Sequence, residues 1–260
     1  MPLKNDLKIA WQHLTAATFS VLNVPHDRPR DEIRRRVAAI DPAQLEAQRI
    51  RLIADATGRS EDDVRAIVAA YAREPWAAIS LADASRIKLY GMPEMDRVTL
   101  YTLVWAQGAH TSVETGAASG MSAMIILSYL AAQQAGRLIS VDVETPENPE
   151  YGGLIPAEFR PWWELRLQRE TPVLPEILGE LGEIDFFLHD SVHTAKHMLW
   201  EYELAWPYIK AGGCLASHDV YFSTAFDAFR QKYAGEISSG GMIGNFGFVI
   251  KGVRDEHYLP

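Results

Sequence analysis

The sequence predicts an α/β fold: a doubly wound, mostly parallel sheet with a C-terminal antiparallel hairpin, preceded by an N-terminal helical region. Three observations carry this. From residue 111 onward short apolar runs alternate with helical patterns, as βαβ units require. Residues 1 to about 106 instead carry helical spacing and helix caps. Near the end, Glu236-Ile237-Ser238 and Gly247-Phe248-Val249-Ile250 flank Gly240-Gly241 as the arms of a hairpin.

The N-terminal elements follow in order. Asp41-Pro42 reads as an N-cap with proline in the first turn, and Leu45, Ile50, Leu52 and Ile53 supply an apolar face ending at Gly58. Ser60 and Asp63 are spaced like a capping box, with Asp in place of the usual Glu, ahead of the stripe Val64, Ile67, Val68 and Tyr71. Glu74-Pro75 closes that helix. Another runs from Glu94 to Gln107, after Gly91-Met92-Pro93. A linker lies between Trp105 and Thr111, dividing residues 1–106, a lid or dimerisation region, from a catalytic domain over 107–260.

In that second part, Thr111-Ser112-Val113-Glu114 is the first strand and Met121 to Gln134 a helix. Arg137 to Val143 is the second strand, Trp163 to Arg169 the third, and Ile184-Asp185-Phe186-Phe187-Leu188 the fourth. His197 to Ile209 is a helix, Gly213-Cys214-Leu215-Ala216-Ser217 the fifth strand, and Thr224 to Tyr233 a helix.

Composition narrows the function. The chain has 260 residues, 48% hydrophobic and 23% charged, enough for one catalytic domain with an appendage and a core that needs no staples. Cys214 stands alone, which excludes an intrachain disulfide and a Cys-based zinc site. Net charge is −9, against a nucleic-acid partner. Arg28 to Arg36 holds five arginines, but Asp31 and Glu32 break the run, which reads as a solvated helix start. Met1 to Asp6 lacks a signal-peptide pattern, and no apolar run approaches the ~20 residues of a membrane span, so a cytoplasmic protein is expected.

Gly116 and Gly120 sit between the first strand and its helix, within Val113-Glu114-Thr115-Gly116-Ala117-Ala118-Ser119-Gly120. There, backbone N–H groups can approach a ligand at a helix N-terminus; alone, the pair fits a tight turn equally well. Asp142 ends the second strand, where an acid accepts the hydroxyls of a ribose. NAD would suit that spacing, but Gly-x-Gly-x-x-Gly is absent and Glu114 would sit badly beside a pyrophosphate. It suits the ammonium group of S-adenosylmethionine (SAM).

Two further segments end strands on the same sheet edge: Phe187-Leu188-His189-Asp190-Ser191-Val192-His193, and Lys210-Ala211-Gly212-Gly213-Cys214-Leu215-Ala216-Ser217-His218-Asp219. Asp190, His193, His218 and Asp219 would converge there with the glycine loop. Carboxylates with imidazoles can hold a divalent cation: Mg²⁺ first, with Mn²⁺, Fe²⁺ or Zn²⁺ as alternatives. Such a cation could orient and acidify a substrate hydroxyl, and a histidine could take its proton. His189 reads as structural, pointing into the sheet layers, and His197 as a surface or capping residue.

Glu114-Thr115-Gly116-Ala117-Ala118-Ser119-Gly120-Met121-Ser122 resembles motif I of class I SAM-dependent methyltransferases. More narrowly, it resembles the Glu/Asp-x-Gly-x-x-x-Gly-x-Ser form of metal-dependent O-methyltransferases, macrolide-sugar methyltransferases and cephalosporin-hydroxylase-like proteins. The resemblance spans roughly residues 108 to 250 and leaves the helical N-terminus uncovered. It implies a Rossmann-like sheet and O-methylation of a small-molecule hydroxyl. The cofactor contacts it implies are Glu114, Gly116, Ala117, Gly120, Ser122 and Asp142, with Glu170-Thr171 at the adenine. Asp190 matches a metal-ligand aspartate in an Asp-x-x-His motif, His193 the histidine proposed there as general base, and Asp219 a second metal ligand. His218 stands where close relatives carry an acid or another polar residue; counted with Asp190 and Asp219 as a ligand, it leaves metal identity open. Gly212-Gly213 matches the turn before strand five.

Specificity is expected from Glu144 to Trp162, a proline-rich loop by composition, with Tyr151, Trp162 and Trp163 as pocket walls or core residues. A homodimer is the expected assembly. Two rivals remain at this level: a metal-independent methyltransferase, and a SAM-binding protein without turnover.

Overall fold

The computed structural model describes residues 29, 31, 32, 35, 36, 39, 41–79, 92–144 and 151–253. Gly91, Pro146–Glu150 and most of the arginine run lie outside them; Arg36, inside, pairs with Glu32 at 2.9 Å on an exposed face.

The N-terminal helices are α1 (Pro42–Thr57), α2 (Glu61–Tyr71) and α3 (Glu94–Gln107). Their ends follow from local chemistry. The Asp41 side chain accepts the Ala43 N–H with Pro42 in the first turn, and the Ser60 hydroxyl accepts the Asp63 N–H. Beyond them come β1 (Thr111–Thr115), α4 (Met121–Gln133), β2 (Arg137–Asp142), β3 (Trp163–Leu167), α5 (Glu170–Leu181) and β4 (Ile184–His189). The chain ends with α6 (Ala195–Ala205), β5 (Ile209–Ser217), α7 (Ala225–Lys232), β6 (Ile237–Ile243) and β7 (Phe246–Lys251).

The seven strands are ordered β3-β2-β1-β4-β5-β7-β6. β1 to β5 pair in parallel, β7 runs antiparallel to β5, and β6 antiparallel to β7. Side-chain alternation along the strands divides the core in two. Leu138, Phe186, Leu188 and Ala216 face one layer, Val113, Ile139, Phe187 and Leu215 the other. Every residue of β4 is buried, so truncating Phe186 or Phe187 to Ala would cost about 3–5 kcal/mol.

The first layer includes Leu45, Ile50, Val64, Tyr71, Leu100 and Val104 beside Met124 and Ile126. Helices α1–α3 therefore share a hydrophobic core with the sheet. This explains α4: lying between sheet and N-terminal helices, it is buried at every position from Met121 to Leu130. None of the described helices is long and apolar enough to cross a membrane.

Four details differ from the sequence expectation. Gly240-Gly241 lie inside β6, and the hairpin turns at Gly244-Asn245 instead. A Cβ on Gly240, at φ 133°, would stand 2.3 Å from the Phe248 carbonyl, so this glycine serves strand approach. β5 starts at Ile209, not Gly213, because its first residues pair across a register shift opposite Ile184. Helix α6 starts at Ala195, capped by the Thr194 hydroxyl on the His197 N–H, and Pro207 tightens its end into a 3₁₀ turn. β3 stops at Leu167, and helix α5, with Pro175 inside it, carries no sequence signal strong enough to have been expected.

Candidate active site

β1 lies between β2 and β4, so the crossovers leave it in opposite directions and open a crevice at the carboxyl ends of both strands. The glycine loop fills that crevice. Gly116 donates to the Val141 carbonyl at 2.8 Å and adopts φ 85°. A Cβ there would lie 2.1 Å from the Asp190 carbonyl oxygen. Glycine at 116 thus lets the loop after β1 lie directly against the loop after β4. Ala117 is buried, and Ala118, at φ 40°, donates its N–H to Asp142 Oδ2 at 2.7 Å. Gly120, at φ 87°, opens α4.

Glu114 is fully buried at the end of β1. The Ser140 hydroxyl donates to its Oε1 at 2.6 Å, and Trp163 Nε1 donates to that hydroxyl at 2.8 Å. Oε2 has no partner. Burial pushes the carboxyl up to about 7; the hydroxyls of Ser140 and Ser122 pull it back, and the charges of Asp190 and Asp142 reinforce the rise. Asp142, half-buried, is likewise raised by burial, while the N–H groups of Ala118 and Val143 oppose that. Trp163 thus bonds to the hydroxyl that holds Glu114 and packs against the core, and the Tyr151 hydroxyl donates to the Val143 carbonyl at 2.5 Å. The Glu170 and Thr171 side chains lie outside the described residues; their backbone opens α5.

Asp190, His193 and Asp219 form one group, with one donor atom from each lying within 4.8 Å of the others. His193 Nε2 is 3.6 Å from Asp190 Oδ1 and 3.6 Å from Asp219 Oδ2. It is buried and makes no hydrogen bond. Asp219 sits in the left-handed region at φ 56°, an uncommon state for a non-glycine residue. Asn245 holds it there: its side-chain N–H donates to Asp219 Oδ1 and its Oδ1 accepts the Tyr221 N–H at 2.8 Å. The displaced hairpin turn therefore serves the site.

His218, expected beside these three as a ligand, lies outside the convergent set. Its Nδ1 is 2.9 Å from Asp190 Oδ1 and its Nε2 3.1 Å from Asp96 Oδ2, so both ring nitrogens face carboxylates. Burial alone would lower this imidazole, but Asp219, Asp190 and Asp96 outweigh it and hold it well above the usual value. Burial would also raise Asp190, yet His218 and His193 keep it well below the carboxylate range. The contact at 2.9 Å places His218 to favour the ionised form of Asp190. Asp96, buried on α3, is itself raised by burial against the pull of His218.

His189 points into the layer under the sheet edge, where Glu201 of α6 meets its Nδ1 at 2.6 Å. His197, expected at the surface or as a cap, is half-buried and meets the same carboxylate at 2.8 Å. Asp96, Glu201, Ser140 and Asn245 had gone unremarked in the sequence. Only Glu201 carried a signal, its spacing of four from His197 on one helix face.

Residues 113–220 match the family model described as a methyltransferase domain. No curated protein matches the sequence. Among solved structures, the chain is similar to a protein from Staphylococcus aureus described as a candidate caffeoyl-CoA O-methyltransferase, with TM-score 0.55, 12% identity, and 73% of this chain and 99% of that one covered. It is similar to cofactor-bound Rv0187 from MTB, with TM-score 0.53, 16% identity, and 68% and 90% covered. It is also similar to the O-methyltransferase TomG of tomaymycin synthesis from Streptomyces achromogenes, in complex with SAM, with TM-score 0.51, 16% identity, and 71% and 90% covered. At these identities the likenesses establish the fold, and the family match establishes what the fold carries. The chain is an enzyme that carries a methyltransferase domain over residues 113–220, on the fold of these solved structures.

Proposed function

We propose that this enzyme methylates a hydroxyl oxygen of a small molecule, with Asp190, His193 and Asp219 at the reacting end. The observation that supports this reading is the convergence of those three side chains against the Gly116 loop, with buried His193 Nε2 making no hydrogen bond and standing 3.6 Å from each carboxylate. SAM supplies an electrophilic methyl group on a sulfonium. The acceptor oxygen forms its bond to that carbon as the carbon–sulfur bond breaks, and sulfur keeps the electron pair. His193 Nε2 takes the hydroxyl proton. Glu114 Oε2, which lacks a donor where it is buried, would hold the ammonium of the cofactor directly or through water, and Asp142 would accept from its ribose. Holding both reactants in line supplies much of the acceleration.

The donor set also fits a divalent cation. Two hard carboxylate oxygens with one imidazole nitrogen suit Mg²⁺ first, with Mn²⁺, Fe²⁺ or Zn²⁺ accommodated. Asp190 and Asp219 would hold it, and when bound it supplies Lewis acidity to the acceptor hydroxyl. A second reading is favoured by the 3.6 Å spacings: His193 is itself the third donor to the cation.

The test is a methyl-transfer screen over small-molecule hydroxyls, with and without EDTA, paired with Mn²⁺ titration of wild type and His193→Ala. As a base, His193 accounts for about 10²–10⁴-fold of turnover, and its loss leaves Mn²⁺ affinity nearly unchanged. As a ligand, its loss weakens Mn²⁺ binding about tenfold or more as well. Full activity after rigorous chelation removes the metal from the mechanism; transfer only to nitrogen or carbon acceptors overturns the O-methylation reading.

A further inference from the structure

We propose that Glu201 is the positioning residue of the Asp190–His193 loop: its buried carboxylate binds β1 and β4 through one oxygen and the loop and α6 through the other, and so fixes where Asp190 and His193 stand. The inference rests on the reading that those two residues form the reacting end.

The geometry is specific. Thr115 Oγ1 donates to Glu201 Oε2 at 2.6 Å, and His189 Nδ1 meets the same oxygen at 2.6 Å. Ser191 Oγ donates to Oε1 at 2.8 Å, and His197 Nε2 meets it at 2.8 Å. A carboxylate can only accept when ionised, and four donors fill its four acceptor sites. Burial would raise this carboxyl; the donors of His189 and His197 pull it the other way, although burial lowers His189 itself, so the four hydrogen bonds are what hold the carboxylate in place. It lies at 0% exposure, where an unsatisfied charge would be strongly destabilising.

Three of the four donors flank the functional residues. Thr115 stands between Glu114 and Gly116; His189 and Ser191 stand on either side of Asp190. The His189 ring, held at Nδ1, lies edge-on to the His193 ring, with centroids 5.6 Å apart and planes at 80°. Backbone restraint is sparse here. Asp190 donates to the Thr115 carbonyl at 3.0 Å, but among the described residues no backbone–backbone hydrogen bond involves residues 191–193. Side chains must therefore seat residues 191–193, and the one hydroxyl among those three, on Ser191, is tied to Glu201.

Two variants test this, with the SAM-bound protein as the sample. In Glu201→Gln the side-chain NH₂ meets two donors it cannot accept, and Ser191→Ala removes the loop contact alone. Amide exchange at Asp190, the loop amide held by the Thr115 carbonyl, should quicken about tenfold in both, with α4 and β2 unchanged. Mn²⁺ affinity should fall about tenfold or more in Glu201→Gln, at unchanged SAM affinity. The double variant should lose less than the sum of the two, because both act through one contact. A simple loss of stability would raise exchange throughout and leave the effects additive. Unchanged loop exchange in a folded Glu201→Gln overturns the proposal; if that variant does not fold, unchanged exchange in Ser191→Ala does so. Should wild type bind SAM but no Mn²⁺, the metal reading falls, and loop exchange alone decides the role of Glu201.

Discussion

Replacing Glu114 by glutamine separates the burden of a buried charge from its use. In the folded protein this carboxyl is displaced from 4.5 to about 7, chiefly by burial. At 1.36 kcal/mol per pH unit, holding it ionised without a cationic partner costs about 3 kcal/mol. The sign follows from proton linkage. Between the ordinary value and about 7 the folded state binds more protons than the unfolded chain, so stability falls as pH rises through that window and levels off above it. Glutamine has nearly the same shape and can still accept from Ser140, but carries no charge. The variant should match wild type near pH ~5 and exceed it by up to about 3 kcal/mol near pH ~8, a rise of several degrees in melting temperature.

Function should move the other way. If Glu114 faces the ammonium of SAM, binding requires the ionised carboxylate. Wild-type SAM affinity should then climb with pH up to about 7, while the glutamine variant should bind weakly and without that slope. The assay is a pair of melts and a pair of SAM titrations across about pH 5–9, and the histidines common to both proteins cancel in the difference. A melting difference independent of pH would refute the burial argument. Equal SAM affinity near pH ~8 would refute the contact with the ammonium.

Two further outcomes follow from the same geometry. Gly116→Ala adds a Cβ 2.1 Å from the Asp190 carbonyl at a positive φ, so it should destabilise by about 2–5 kcal/mol and abolish SAM binding, read by melting and calorimetry. A variant that binds SAM normally would show that the two loops need not touch. Asp96→Ala leaves buried His218 Nε2 without a hydrogen bond and with only Asp219 Oδ1 at 3.7 Å, costing about 1–3 kcal/mol. It also removes one of three carboxylates that raise His218, so the imidazole should titrate lower by NMR; an unmoved titration would assign the effect to Asp190 and Asp219 alone.

What the sequence made legible was local in origin. Helix starts at Asp41 and Ser60, the alternation of strand and helix after residue 111, and the glycine loop all depend on neighbours within a few residues. The acids and histidines at the ends of β4 and β5 were readable because a parallel sheet brings its strand ends together whatever the loops do. The hairpin was misplaced for a related reason. A glycine pair is the commonest turn signal, but Gly240 and Gly241 are needed for close approach to Phe248 and Leu52, a constraint set by tertiary packing alone.

The rest of the site depends on partners distant in sequence. Asp96 meets His218 across 122 positions, Ser140 meets Glu114 across 26, and Asn245 meets Asp219 across 26. Each is one ordinary polar residue on an element whose packing decides where it points. These contacts also explain why His218 stands apart from the three convergent donors. An imidazole beside two strand-end acids reads as a ligand only while its other nitrogen is taken to be free. With Asp96 supplied by α3, His218 is held between carboxylates, and the convergent donors narrow to Asp190, His193 and Asp219. The N-terminal helices therefore reach the candidate site, since Asp96 of α3 meets one nitrogen of the imidazole whose other nitrogen meets Asp190.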